Sequence, residues 1–244
     1  QAAVAPTEAE KIDALLELAE LQESKFLKRE AAAELYEQVL QIEPAHPAAL
    51  KALERCYHAI RDWPRLSRIL SVRAEYTFEK SAKIELLERA AEVHESKLGD
   101  PAGAVEAYRN LLVVEPKHRR ALADLARLYE KLCDWGNVAT YKSRLAELAP
   151  TKRASSQELV KLGDFLNHPD RDSIAAKLQY EKAVQVDPTN AAGWEALQKF
   201  AVAEGDEQRV IECLEQRKKH TDVPRQRAVV LVVRHDGVIV CRFH

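Results

Sequence analysis

The chain has 244 residues, with 37 Lys and Arg against 39 Asp and Glu, a formal net charge of -2, only 7 Gly and no Met. Ala, Leu, Glu, Lys and Arg dominate, a composition that favours long helices. The balanced charge lacks the basic excess with which nucleic-acid binders displace counterions, and no apolar run reaches the roughly 18 residues of a membrane-spanning helix. Cys56, Cys133, Cys213 and Cys241 lie far apart without a CxxC pair, so neither a disulfide framework nor a zinc site is expected. Three of them fall in helical patterns, where a small apolar role is expected. Thiols favour a reducing, cytoplasmic compartment without deciding it. A start at Gln1 and the lack of Met read as a fragment or processed product, so a missing signal peptide decides nothing.

The helical pattern predicts one repeat domain over residues 8–221, in six hairpins. Hairpin one (11–44) carries Glu23-Ser24-Lys25, then Ala32, Tyr36 and Pro44. Hairpin two (47–80) carries Leu53 and Tyr57 before Asp62-Trp63-Pro64. In hairpin three (83–116), Glu95-Ser96-Lys97, Ala104, Tyr108 and Pro116 return 72 residues after their counterparts. Hairpin four (119–152) returns Leu125, Tyr129, Asp134 and Trp135 at that same interval. Hairpin five (155–188) brings Ala176, Tyr180 and Pro188, and hairpin six (191–221) brings Leu197 and Asp206. The period of 72 therefore holds two related hairpins, and stacked units of this kind bury a continuous apolar core.

The turns carry helix-start chemistry. Asp62, Asp100, Asp134 and Asp206 are placed to cap the next helix, and Pro64 and Pro101 suit a first turn. Ser155-Ser156-Gln157-Glu158 reads as a capping box opening hairpin five, after a longer link over 150–154. Hairpins one and three carry an extra residue before their turn.

These residues resemble the tetratricopeptide pattern W-x2-L-G-x2-Y…A-x3-F…P. Leu162-Gly163, Leu125-Ala126-x2-Tyr129 and Trp194-x2-Leu197 match its first helix. The triplets Ala32/Tyr36/Pro44, Ala104/Tyr108/Pro116 and Ala176/Tyr180/Pro188 match its second helix and exit. The match spans roughly residues 11–220, with Leu66 and Val138 in place of the small second-helix residue and Ala201 in place of the aromatic. The resemblance implies an all-α superhelical solenoid whose first helices line a concave groove. It also implies a scaffold or adaptor that binds a partner protein or peptide there. A regulatory or targeting segment of a larger enzyme is the alternative. An RNA-binding helical repeat is a third reading, against which the charge balance argues.

Under this resemblance the residue after the small first-helix position faces the groove: Glu20, Arg55, Glu92, Arg127, Asp164 and Lys199, alternating in sign. Either the stripes select a charged peptide, or each acid pairs with a base on the neighbouring helix. The second reading is the default, because adjacent first helices lie close. Each exposed pair then contributes only about 0–1 kcal/mol. Hairpin two adds Lys51 and His58, hairpin three adds Glu85, Glu88 and Glu95, and hairpin four adds Arg120 and Lys131. Interface anchors are commonly aromatic or Arg, so Arg55 and Arg127 lead the expected groove contacts, with Lys51, His58, Lys131, Lys199 and Glu92. The Asn residues of the family's carboxylate clamp are missing from these positions.

No GxGxxG, GxxxxGK[ST] or HExxH occurs, so no cofactor, metal or catalytic role is expected. His46, His94 and His118 are read as structural or surface residues, and Trp63, Trp135 and Trp194 as packing residues. From Val223 the pattern stops. Ala228–Val233 and Val238–Cys241 flank Asp236-Gly237, a β-hairpin signal. Residues 222–244 thus read as a separate tail: part of a following domain, a strand docked on the array, or a non-native end.

Overall fold

The computed structural model describes residues 7–220, 231–235 and 238–242. Twelve α-helices occupy the first of these spans: α1 Glu8–Ser24, α2 Arg29–Ile42, α3 Pro47–Ile60, α4 Trp63–Glu75, α5 Lys80–Val93, α6 Pro101–Val114, α7 Arg119–Lys131, α8 Trp135–Glu147, α9 Lys152–Leu166, α10 Ser173–Val186, α11 Ala191–Glu204 and α12 Glu207–His220. Strands β1 (Leu231–His235) and β2 (Val238–Arg242) pair antiparallel, Leu231 opposite Arg242 and His235 opposite Val238. The turn residues Asp236-Gly237 and the expected β-prone residues 228–230 lie outside the described residues. Contacts divide the chain into two compact units, Gln1–Ala121 and Leu122–His244. Within each, helices pack on their neighbours in sequence.

The helix starts follow the 72-residue period. A helix leaves its first N–H groups without partners, and an acceptor at the N-cap satisfies one. Thr7, Glu79 and Thr151 cap α1, α5 and α9, Thr7 as part of a reciprocal box with Glu10. Asp100 and Asp172 cap α6 and α10. His46 Nδ1 accepts the Ala49 N–H at 3.2 Å, His118 Nδ1 accepts that of Ala121 at 3.2 Å, and Asn190 serves α11. Asp62, Asp134 and Asp206 complete the set. Only Lys28, before α2, breaks its series: it makes no side-chain cap.

The expected capping box at Ser155 is not formed. The Thr151 hydroxyl accepts from Ala154 N–H at 3.1 Å, so α9 begins at Lys152 and absorbs most of the expected link. Ser155 and Ser156 are buried within the helix. Ser156 donates to the Ala183 carbonyl at 2.8 Å and accepts from the Asn190 amide at 2.7 Å, which satisfies a hydroxyl that burial would otherwise penalise.

Turns obey the same period. After α3, α7 and α11, the amides of Asp62, Asp134 and Asp206 return to the carbonyls of Tyr57, Tyr129 and Ala201 at 2.9–3.0 Å. Arg61, Cys133 and Gly205 sit there at φ of 60°, 56° and 73°. This is the left-handed C-terminal cap that usually takes glycine. Cys133 is accordingly exposed, against the apolar role expected of it, because the helix ends before it. After α1 and α5 the closing bond spans one residue more, Lys28 N–H to Gln22 O and Asp100 N–H to His94 O, both 2.9 Å. The extra residue is taken up as a π-helical turn at His94–Leu98.

Side chains of contrasting size fill the core. Ala32, Ala104 and Ala176 are wholly buried in α2, α6 and α10, with Tyr36, Tyr108 and Tyr180 one turn on. The Ala and Tyr of each triplet thus lie on the second helix of their own hairpin and Pro44, Pro116 and Pro188 just beyond its end, where the resemblance placed them. In the second unit Leu159, Leu162, Leu166, Tyr180, Trp194 and Leu197 form one apolar cluster. Tyr129 stacks on Tyr141 at 5.5 Å to close α7 on α8.

Candidate functional site

The first helices carry the expected groove residues, and the structure places them as follows. Lys51, Arg55 and His58 are exposed along α3, Glu92 on the last turn of α5, Lys131 at the end of α7 and Lys199 on α11. Arg55 does not meet Glu20. Its Nη2 lies 3.1 Å from Glu23 Oε2 and its Nε donates to Oε1 at 3.3 Å, which raises the guanidinium pKa. The hydroxyl of Tyr36 also reaches this carboxylate, at 3.3 Å. Arg127 Nη2 lies 2.9 Å from Asp124 on its own helix, and Lys199 Nζ lies 3.3 Å from Glu195 on its own. Asp164 accepts from the Tyr180 hydroxyl at 2.7 Å.

A ladder exists in the first unit, but with other rungs. Each earlier first helix supplies the acid and the next supplies the Arg: Glu23 to Arg55, Glu54 Oε1 to Arg89 at 2.6 Å, and Glu88 to Arg120 at 3.7 Å. Glu54 also pairs with Arg73 of α4. The offset between neighbouring helices selects these partners, and composition along a single helix does not reveal that offset.

Glu54 is the feature that sequence reasoning missed. It is buried, with relative exposure of 9%, at the position where α7 carries Ala126. An acid at a periodic buried position was the available signal. Next to it, α3, the end of α4 and α5 enclose a cavity of about 300 Å³ lined by Lys51, Arg73, Tyr76, Thr77, Glu85 and Arg89, among others. Arg73 and Arg89 are held by Glu54, whereas Lys51 makes no ion pair or hydrogen bond among the described residues. The structure therefore brings Lys51 and Arg89 together at one cavity. His58 instead packs edge-on to Trp63 at 5.9 Å, by the turn.

Two of the thiols are placed for packing. Cys56 and Cys213 are buried, and burial, reinforced by the Glu23 charge, pushes the Cys56 thiol up to about 11. Among the described residues no three His, Cys, Asp or Glu side chains converge as metal ligands. No described helix is long and apolar enough to cross a membrane.

No protein-family model and no curated protein sequence matches the chain. Similar solved structures include YrrB, described as a TPR protein with an unusual peptide-binding site. Its identity is 14%, over 79% of this chain and 98% of that one, with a TM-score of 0.38. A tetratricopeptide repeat protein from Parabacteroides merdae is 18% identical over 87% and 81%, with a TM-score of 0.37. The TPR2AB domain of yeast Sti1, in a complex with pHSP90, is 17% identical over 87% and 91%, with a TM-score of 0.31. The repeat type follows from the hairpins themselves: α1, α5, α7 and α9 carry a small residue at the recurring first-helix position, and α2, α6 and α10 carry the Ala–Tyr pair with an exit proline every 72 residues. Over residues 7–220 the fold is an all-α helical-hairpin array of the tetratricopeptide type.

Proposed function

We propose that the chain is a scaffold or adaptor that holds a partner protein or peptide on the exposed faces of its first helices and catalyses nothing itself. The observation that carries this reading is the cavity beside Lys51. It combines an ammonium group without an ion pair among the described residues, two guanidinium groups that Glu54 holds in place, a single lining acid, Glu85, and an aromatic neighbour, Tyr76. Charged hydrogen bonds in a partly desolvated site contribute about 1.5–3 kcal/mol, so an acidic side chain of the partner fits there. Arg55, His58 and Glu92 are proposed contacts beside it in the first unit, and Arg127, Lys131 and Lys199 in the second.

The test is binding of the 244-residue chain to a peptide panel graded from acidic to basic, read by fluorescence anisotropy. Acidic peptides are expected to bind best, and Lys51→Glu to weaken them about tenfold, roughly 1.4 kcal/mol. Equal binding of wild type and Lys51→Glu across the panel would contradict the assignment.

A further inference from the structure

The 72-residue period lets each helix face be compared with its own counterparts, and one face that is covered on α5 and α9 is open on α1 among the described residues. On α5, which packs on α4, Leu87 and Ala90 are 5% and 0% exposed. On α9, Leu159 and Leu162 are 1% and 4% exposed and pack beneath α8. The equivalent residues of α1 are Leu15, half-buried, and Leu18, 45% exposed. They line an open groove with Lys11, Ala14, Gln38 and Ile42. The residues that cover such a face come from a second helix of the series α4, α8, α12. From α8, Ala139 and Ala146 share the apolar cluster of Leu159 and Leu162, and Lys142 Nζ sits 4.4 Å over the Phe165 ring. At the same register α12 presents Ile211, 39% exposed, with Leu214 and Lys218.

We propose that α1 of one molecule is covered by α12 of a second copy, in a head-to-tail contact that repeats the α4–α5 and α8–α9 packing between chains. Charge selects this occupant. Successive helices here run antiparallel through short turns, so the copied geometry sets the last turn of α12 against the first turns of α1. That last turn carries Arg217, Lys218, Lys219 and His220. The facing turns carry Glu8, Glu10 and Asp13, and α1 as a whole has six acids and a single Lys. A second α1 would meet acid with acid. The contact joins two different faces, so it is heterologous and propagates rather than closing as an isologous dimer does.

Sedimentation velocity on the 244-residue chain tests this. Wild type is expected to gain mass with concentration beyond one chain. Leu18→Glu and Ile211→Glu, both at partly exposed positions, are expected to keep wild-type helicity by circular dichroism and to sediment as single chains. Their equimolar mixture keeps one intact head and one intact tail and is expected to form a heterodimer, doubling the mass. A wild type that stays one chain at every concentration overturns the proposal. So does an Ile211→Glu variant that associates as wild type does, and so does a mixture of the two variants that fails to pair.

Discussion

The ring of Tyr180 occupies the space that a β-carbon on Gly163 would need: such an atom would lie 2.5 Å from the ring's Cε1. Helices α9 and α10 approach closely because one offers no side chain where the other offers a phenol, and the phenol then reaches Asp164. Gly163→Ala should therefore destabilise the chain by about 1–2 kcal/mol: overpacking costs about 1–3, partly offset by helix propensity. At Gly136, in the first turn of α8, a β-carbon would have its nearest neighbour 3.7 Å away. Gly136→Ala should instead stabilise by about 0.4–1 kcal/mol. Urea unfolding of both variants checks the opposite signs.

Lys28 occupies the N-cap position that Asp100 and Asp172 fill one and two periods later, and it alone of the three lacks a cap bond. Lys28→Asp should supply the missing acceptor to α2 and stabilise by about 1 kcal/mol. Its neighbour Leu27 holds φ of 53° where Gly99 holds 60°, so Leu27→Gly should add a further gain of up to about 1 kcal/mol. A higher urea midpoint at unchanged slope is the expected result for each. A lower midpoint for Lys28→Asp would mean that the three helix starts are not equivalent.

Glu54 bridges Arg73 and Arg89 from a buried position. Glu54→Ala leaves both cations facing a poorly hydrated site and should cost about 1–3 kcal/mol, below the 3–5 of a fully buried pair because the Arg side chains are partly exposed. The equivalent positions one period later hold Ala126 and Leu145. Adding Arg73→Leu to Glu54→Ala should therefore recover a good part of the loss. Thermal melts of the two single variants and the double variant measure that recovery.

Stability should peak near neutral pH. The Gly103 amide holds the Asp100 carboxyl below the usual range, the Thr7 amide does so for Glu10, and the Ser81 hydroxyl for Glu79. A carboxyl lowered on folding contributes stability above its unfolded pKa, about 3.9–4.3, and that contribution is lost as pH falls through the folded value. Cys56 moves the other way, up to about 11, chiefly through burial. Its contribution is complete below the unfolded thiol value of about 8.5 and is lost as pH rises towards the folded one. Urea midpoints should be level from about pH 5 to 8 and fall on both sides. Cys56→Ala should lower the plateau but flatten the alkaline limb above pH ~8.5.

Much of this was legible because packing size and turn chemistry are written locally. Ala104 and Tyr108 return at a fixed interval and the family resemblance assigns them to a second helix, while Asp134 identifies a helix start. The extra residue of hairpin three was visible, though not its resolution into a π-helical turn. What depends on how helices slide past one another was not legible: Arg55 meets Glu23 rather than Glu20, a one-turn difference that no single helix encodes. The Ser155 start was misread because Thr151, four residues earlier, is an equally good cap and wins by letting both serines join the packed interior. Cys133 looked helical because the left-handed cap it occupies usually announces itself with glycine, as at Gly205.

The close seating of small against large side chains is tested most directly by a double-mutant cycle between Gly163 and Tyr180. Urea unfolding of Gly163→Ala, Tyr180→Val and the double variant gives the coupling. The expected result is that Gly163→Ala costs about 1–2 kcal/mol beside Tyr180 and nothing beside Val, a coupling of about 1 kcal/mol or more. Additive effects within about 0.3–0.5 kcal/mol would mean that the two residues do not share that space, and would contradict the packing on which the array is built.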